Sequence, residues 1–165
     1  LFLHIIQTMH IAHEIKVIWM AMVPIIELRG AIPYGIIRQL HPWFVFLLAW
    51  IGSTLIIAPV YYLFTPCMDL LERTPSIGPI FRRFRERIVR KGNKLGRVEF
   101  VGLLLFVGVP LPGTGAWTGA MIASVMKMSF RSSFVAITLG NIMAGLITLF
   151  IFYIGHGTYQ QIISP

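Results

Sequence analysis

The sequence predicts an all-α integral membrane protein made of an internal, inverted repeat. Each half is a re-entrant helical hairpin followed by a full transmembrane helix, and a cytoplasmic amphipathic helix joins the halves. Three observations predict this. The 165 residues are 56% hydrophobic and 12% charged, about half the charge of a soluble domain, which is ~25%; mean hydropathy is +0.78. Two long stretches carry no formal charge. Each is preceded, in the same relative place, by a short apolar run that breaks at glycine and proline. This composition excludes a disordered chain and argues against a soluble globular enzyme.

Leu1 to Trp19 is apolar but interrupted by His4, Gln7, His10, His13, Glu14 and Lys16, and reads as a helix starting near an interface. Ile15 to Ile26 is too short, at about 18 Å, to cross a ~30 Å hydrocarbon core. It ends in Glu27-Leu28-Arg29-Gly30-Ala31-Ile32-Pro33-Tyr34-Gly35. Trp43 to Phe64 is uncharged and long enough to span, about 33 Å as a helix. Trp43 at one end and Tyr61 and Tyr62 at the other suit the two interfaces.

Residues 65–97 form a hydrophilic connector between a first repeat, 1–64, and a second, 98–155. Nine of the fourteen basic residues lie from Arg73 to Arg97. Ile80, Phe81, Phe84 and Ile88 recur at helical spacing, while Arg82, Arg83, Arg85, Arg87 and Arg90 fill the other face. This pattern predicts a basic amphipathic helix on the anionic inner leaflet, or a solvated helix packed on its own protein. Flanked by apolar spans, the basic block is not read as a nucleic-acid site.

Val98 to Val109 is the second short apolar run. It ends in Pro110-Leu111-Pro112-Gly113-Thr114-Gly115-Ala116-Trp117-Thr118-Gly119. Ala120 to Met126 is apolar again, and Ser132 to Ile154 is the second uncharged span. Gly30-Ala31 matches Gly115-Ala116, and Ala49-Trp50-Ile51-Gly52-Ser53 matches Ile137-Thr138-Leu139-Gly140-Asn141. The offset between the halves thus grows from 85 to 88. Paired, interrupted hydrophobic segments point to a transport site.

Backbone freed by a break cannot face lipid, so both breaks must face protein or water. If each short run turns back, each half crosses the membrane an odd number of times and the second is inverted. If each is one kinked span, the repeats are parallel. With the connector inside, the re-entrant arrangement keeps Lys127 and Arg131 inside and obeys the positive-inside tendency better.

An ionisable residue at membrane depth is a functional candidate by default. Glu27 is thus a candidate proton or cation site, with Arg29 as its partner. The alternative is a local ion pair that satisfies the tip backbone. Gly30, Pro33, Pro110, Pro112, Gly113 and Gly115 shape the two tips and expose backbone groups. Thr114 and Thr118 can cap the broken helix or bind a ligand, and Trp117 can stack on a ligand or pack against the opposite hairpin. Neither Cys67 nor the His10/His13 pair makes a persuasive metal site, and no cofactor is expected. No Ser/His/Asp or Cys/His set supports hydrolytic catalysis.

The motifs at Glu27 to Pro33 and Val109 to Gly119 resemble the signatures of the putative small multidrug export protein family. The likeness extends over nearly the whole chain and implies a membrane transporter; a small amphiphilic or lipid-phosphate substrate is expected. A more distant likeness, carried by Pro112-Gly113, Met128-Ser129-Phe130-Arg131 and Asn141, is to DedA-type membrane proteins. That likeness implies translocation of an anionic carrier lipid such as a polyprenyl phosphate. Leu105 and Thr114 stand near where that group carries arginines. A non-transporting membrane scaffold is the third reading. The thin wall that 165 residues can build predicts a homodimer or higher oligomer.

Overall fold

The computed structural model describes residues 2–73 and 95–163, and the basic connector helix with Arg82, Arg83, Arg85, Arg87 and Arg90 lies outside them. The described residues are helical with short turns, and no strand occurs among them. The first half comprises α1 (Phe2–Met22), α2 (Glu27–Ile37), α3 (Pro42–Leu55) and α4 (Ile57–Arg73). The second comprises α5 (Leu95–Gly108), α6 (Ala116–Val125) and α7 (Phe130–Ile163).

Helices α3 and α4 are nearly continuous, and Pro42–Cys67 is long and apolar enough to cross a membrane, as is Phe130–Gly155 of α7. The sequence reads the first of these as one uninterrupted helix. Ile56 instead forms a single-residue turn. Pro59, three residues further on, has no N–H for the Leu55 carbonyl, so the ladder lapses there. Pro42 opens α3, where a missing N–H is harmless.

The return helices α2 and α6 end in the same turn. After α2, the Gln39 N–H donates to Ile36 O (2.9 Å) and the Leu40 N–H to Gly35 O (3.1 Å). After α6, the Lys127 N–H donates to Ser124 O and the Met128 N–H to Ala123 O, both at 3.0 Å. Each is a Schellman turn with a left-handed residue, Gln39 at φ 61° and Lys127 at φ 54°, and with a buried apolar residue, Leu40 or Met128, just after it. Every member of one turn lies 88 residues from its counterpart.

The packing repeats as well. A Cβ on Gly52 would stand 2.6 Å from Ile18 O and 3.0 Å from the Ala21 methyl, so this glycine lets α3 close on α1. A Cβ on Gly140 would stand 2.8 Å from both Leu104 O and Val107 Cβ, so α7 closes on α5 in the same way. Each half's short return helix then packs on the other half's long helix. Ile57, Val60 and Tyr61 of α4 belong to the core of α5, α6 and α7, while Leu149 of α7 belongs to the core of α1, α2 and α3. The Tyr61 hydroxyl donates to Met128 O at 2.5 Å, and Ser124 Oγ bonds Thr65 Oγ1 at 3.1 Å.

Helices α3 and α7 cross at equivalent positions. Asn141 Nδ2 donates to the buried Ser53 Oγ (3.2 Å), and the long Trp50 side chain reaches Thr138 O (3.4 Å). Toward the start of α3, Phe46 lies against Gly145, and Trp43 shares a cavity with Phe150 and Tyr153. From Trp43 to Ser53, partner numbers on α7 fall overall, so the two helices run in opposite directions.

Replacing Gly52 or Gly140 by alanine is expected to destabilise the protein by about 1–3 kcal/mol, because backbone must shift. Gly102→Ala, where a Cβ meets nothing, should have little effect or stabilise slightly. Thermal unfolding in detergent separates the two outcomes. Gln39→Gly should raise stability by about 0.5–1 kcal/mol by relieving a left-handed backbone; an unchanged midpoint would count against that strain.

Candidate functional site

The two breaks touch, and they do so through helix ends. A helix leaves unpaired N–H groups at its start and unpaired C=O groups at its finish. In the second half, α5 stops at Gly108 and α6 restarts at Ala116, with Gly115 as an N-cap that offers no side chain. Residue Glu27, from the first half, supplies what is missing. The residue is 6% exposed, and its carboxylate accepts the Trp117 N–H through Oε1 at 3.2 Å. A carboxylate at a helix N-terminus also faces the positive end of the helix dipole.

Arg29 serves the opposite pole. Its Nη1 donates to Glu27 Oε2 at 2.8 Å. Its Nη2 lies over the carbonyls that end α5, at 3.0 Å from Val107 O and 3.3 Å from Val109 O, and also bonds Thr114 O. A cation there faces the negative end of the α5 dipole. Residues 27 and 29 thus splice the two sides of one break, each against the pole of opposite sign. The contact is returned by Trp117, whose indole Nε1 donates at 2.8 Å to Met22 O, the last residue of α1.

Local backbone is bent to make this possible. Glu27 sits at φ 47°, a left-handed conformation that costs a non-glycine residue roughly 1–2 kcal/mol. Gly113, at φ 83°, provides the corresponding bend in the second break at no steric penalty. Glycine is also required at Gly115, where a Cβ would overlap the Glu27 carboxylate. The Thr114 hydroxyl braces the loop, 2.8 Å from Val109 O and 3.0 Å from Leu111 O, and lies 3.2 Å from Arg29 Nη2.

Glu27, Arg29, Thr114, Gly115 and Trp117 are therefore brought together. Gly30 and Pro33 are half-buried on α2, behind the contact; Pro33 has no N–H for the Arg29 carbonyl. Pro110 is half-buried, Pro112 and Gly113 are exposed on the loop, and Thr118 is half-buried in the first turn of α6. At Gly115 the breaks meet in direct contact rather than across an open chamber. Trp117 packs on the core of the second half and meets the first half through its indole N–H at Met22 O. The carbonyls of Met22, Val107 and Val109 are partners that sequence reasoning missed. The offset of 85 pairs Arg29 with Thr114 and would have pointed to that contact. His13, one of the two histidines considered for metal, lies 3.0 Å from the Tyr34 hydroxyl through Nδ1.

A chain whose described residues are helical, with two membrane-length apolar helices among them and broken segments joined through a buried ion pair, has the features of a helical membrane protein. The chain belongs to the putative small multi-drug export protein family, whose model matches residues 27–147. The match begins on Glu27 itself, takes in α2, α3 and the second break, and ends within α7. No curated protein and no solved structure matches the chain. The likeness to DedA-type proteins finds no support in these comparisons.

Because the pair is buried, removing one member strands the other. Arg29→Met is expected to destabilise the fold by about 3–5 kcal/mol. The double variant Glu27→Gln/Arg29→Met should lose less than the sum of the single losses. Additive losses in thermal or denaturant unfolding would show that the two side chains do not act as a unit.

Proposed function

We propose that this protein is a secondary transporter of small amphiphilic molecules, with its site at the junction of the two breaks and Glu27 as the group that carries the coupling proton. The observation behind this reading is the Glu27 carboxylate, buried between the start of α6 and Arg29. An ionised Glu27 holds the junction shut by opposing two positive poles, the helix N-terminus and the guanidinium. A proton on that carboxylate removes the charge both poles face, and the junction loosens. Loss of the proton closes it again. The family membership fits an export role.

Several features support reading the halves as inverted repeats, each with a re-entrant hairpin. The spans α3 and α7 run in opposite directions, the turns after α2 and α6 coincide at an offset of 88, and equivalent residues meet where the spans cross. In such an arrangement both breaks lie near the midplane of the bilayer, where broken backbone must be covered by protein. In this reading 65–97 is cytoplasmic, and its arginines face anionic lipid. A homodimer or higher oligomer would thicken the wall around the site. Translocation of an anionic carrier lipid has less support, because Arg29 already commits its terminal nitrogens to Glu27 and to carbonyl oxygens.

The test is transport in proteoliposomes under an imposed proton gradient, with ethidium as substrate. Glu27→Gln preserves size and one acceptor oxygen but cannot be ionised. It is expected to lower gradient-driven uptake at least tenfold while leaving helical content unchanged. Unaltered uptake would make Glu27 a helix cap and nothing more, which is what a non-transporting scaffold would also require.

A further inference from the structure

We propose that the groove between the start of α3 and the second half of α7 binds a small, uncharged aromatic molecule drawn from the bilayer. The groove has a volume of about 770 Å³ and is walled by Pro42, Trp43, Ile147, Leu149, Phe150 and Tyr153. That volume falls among those of small-molecule pockets, ~300–1,000 Å³. Among the described residues its lining holds no Asp, Glu, Lys or Arg, and His41 is its one imidazole, so an anionic or cationic ligand would lose its hydration without gaining a carboxylate, ammonium or guanidinium partner.

The other half of the molecule shows what fills such a space. At the offset of 88 that relates the twin turns, Pro42 corresponds to Phe130, Leu149 to Tyr61 and Phe150 to Tyr62. There the Phe130 ring lies 5.4 Å from Tyr61, 5.0 Å from Tyr62 and 5.7 Å from Phe134, centre to centre. An aromatic ring thus plugs that face. In the groove, Pro42 stands where Phe130 would be, and its short ring leaves the position open. The walls keep their aromatic character through Trp43, Phe150 and Tyr153. A flat ring entering there regains offset and edge contacts with three aromatic side chains. An acyl chain gains no such contacts and loses more rotamer freedom on being held. The inference rests on the membrane placement proposed above and assigns a second site, distinct from the junction of the two breaks, so it does not depend on Glu27.

The experiment uses the full chain in lipid nanodiscs and the neutral fluorophore N-phenyl-1-naphthylamine. Energy transfer from tryptophan to the probe is followed as probe is added. Wild type should show a saturable component above the linear rise due to partitioning into lipid. Pro42→Phe and Ile147→Phe, which fill the groove from opposite walls, should each weaken the saturable binding at least tenfold. Circular dichroism checks that each variant is folded, and either one suffices if the other is not. Leu105→Phe, on the exposed face of α5 and outside the groove, should leave the binding unchanged; binding is read without a proton gradient, which separates failure of this inference from failure of the transport mechanism. Transfer that rises linearly and equally in wild type and both variants would overturn the proposal. Quenching of Trp43 by acyl-brominated phospholipid, undiminished at saturating probe, would also overturn it, with a lipid tail as the occupant.

Discussion

Backbone polarity governs this molecule. An apolar helix that breaks inside a bilayer exposes N–H and C=O groups that lipid cannot satisfy. Here the broken ends are satisfied by the other half of the chain. Glu27 closes the start of α6, Arg29 closes the end of α5, and Trp117 closes the end of α1. The remaining features accommodate this exchange. Glu27 accepts a left-handed backbone, Gly115 gives up its side chain, and the Thr114 loop is folded tightly enough for its carbonyl to reach Arg29.

The splice also explains why charge is found where the chain is otherwise most apolar. Buried ion pairs are poor sources of net stability, since desolvation offsets their attraction. This pair gains more than its mutual attraction, because each member opposes a helix pole of opposite sign. The result is a junction that holds two opposite charges but no surplus charge.

Much of this was legible in the residues. Uncharged spans, the second Gly/Pro break and the offset of the halves follow from composition and periodicity, but the first break falls at residues 23–26, ahead of the Gly/Pro signal, and Gly30, Pro33 and Gly35 lie inside α2. Glu27 and Arg29 were singled out because ionisable groups are costly at that depth. Their partners were harder to read, since the Val107, Val109 and Met22 carbonyls carry no side-chain signature. The turns at Gln39 and Lys127 were hidden for a related reason: Schellman turns usually announce themselves by glycine, and neither position has one. The lapse at Ile56 was masked by the strong apolar character around it, although Pro59 marked it. The connector arginines lie outside the described residues and stay an expectation of the sequence.

The exchange of long-helix ends between the two cores bears on biogenesis. When translation has passed Arg73, the Tyr61 face of α4 still lacks α5, α6 and α7, which are yet to be made. Likewise the first core waits for Leu149 of α7. Neither half can finish as an autonomous unit, so the newborn chain must be kept from premature association until α7 is in place.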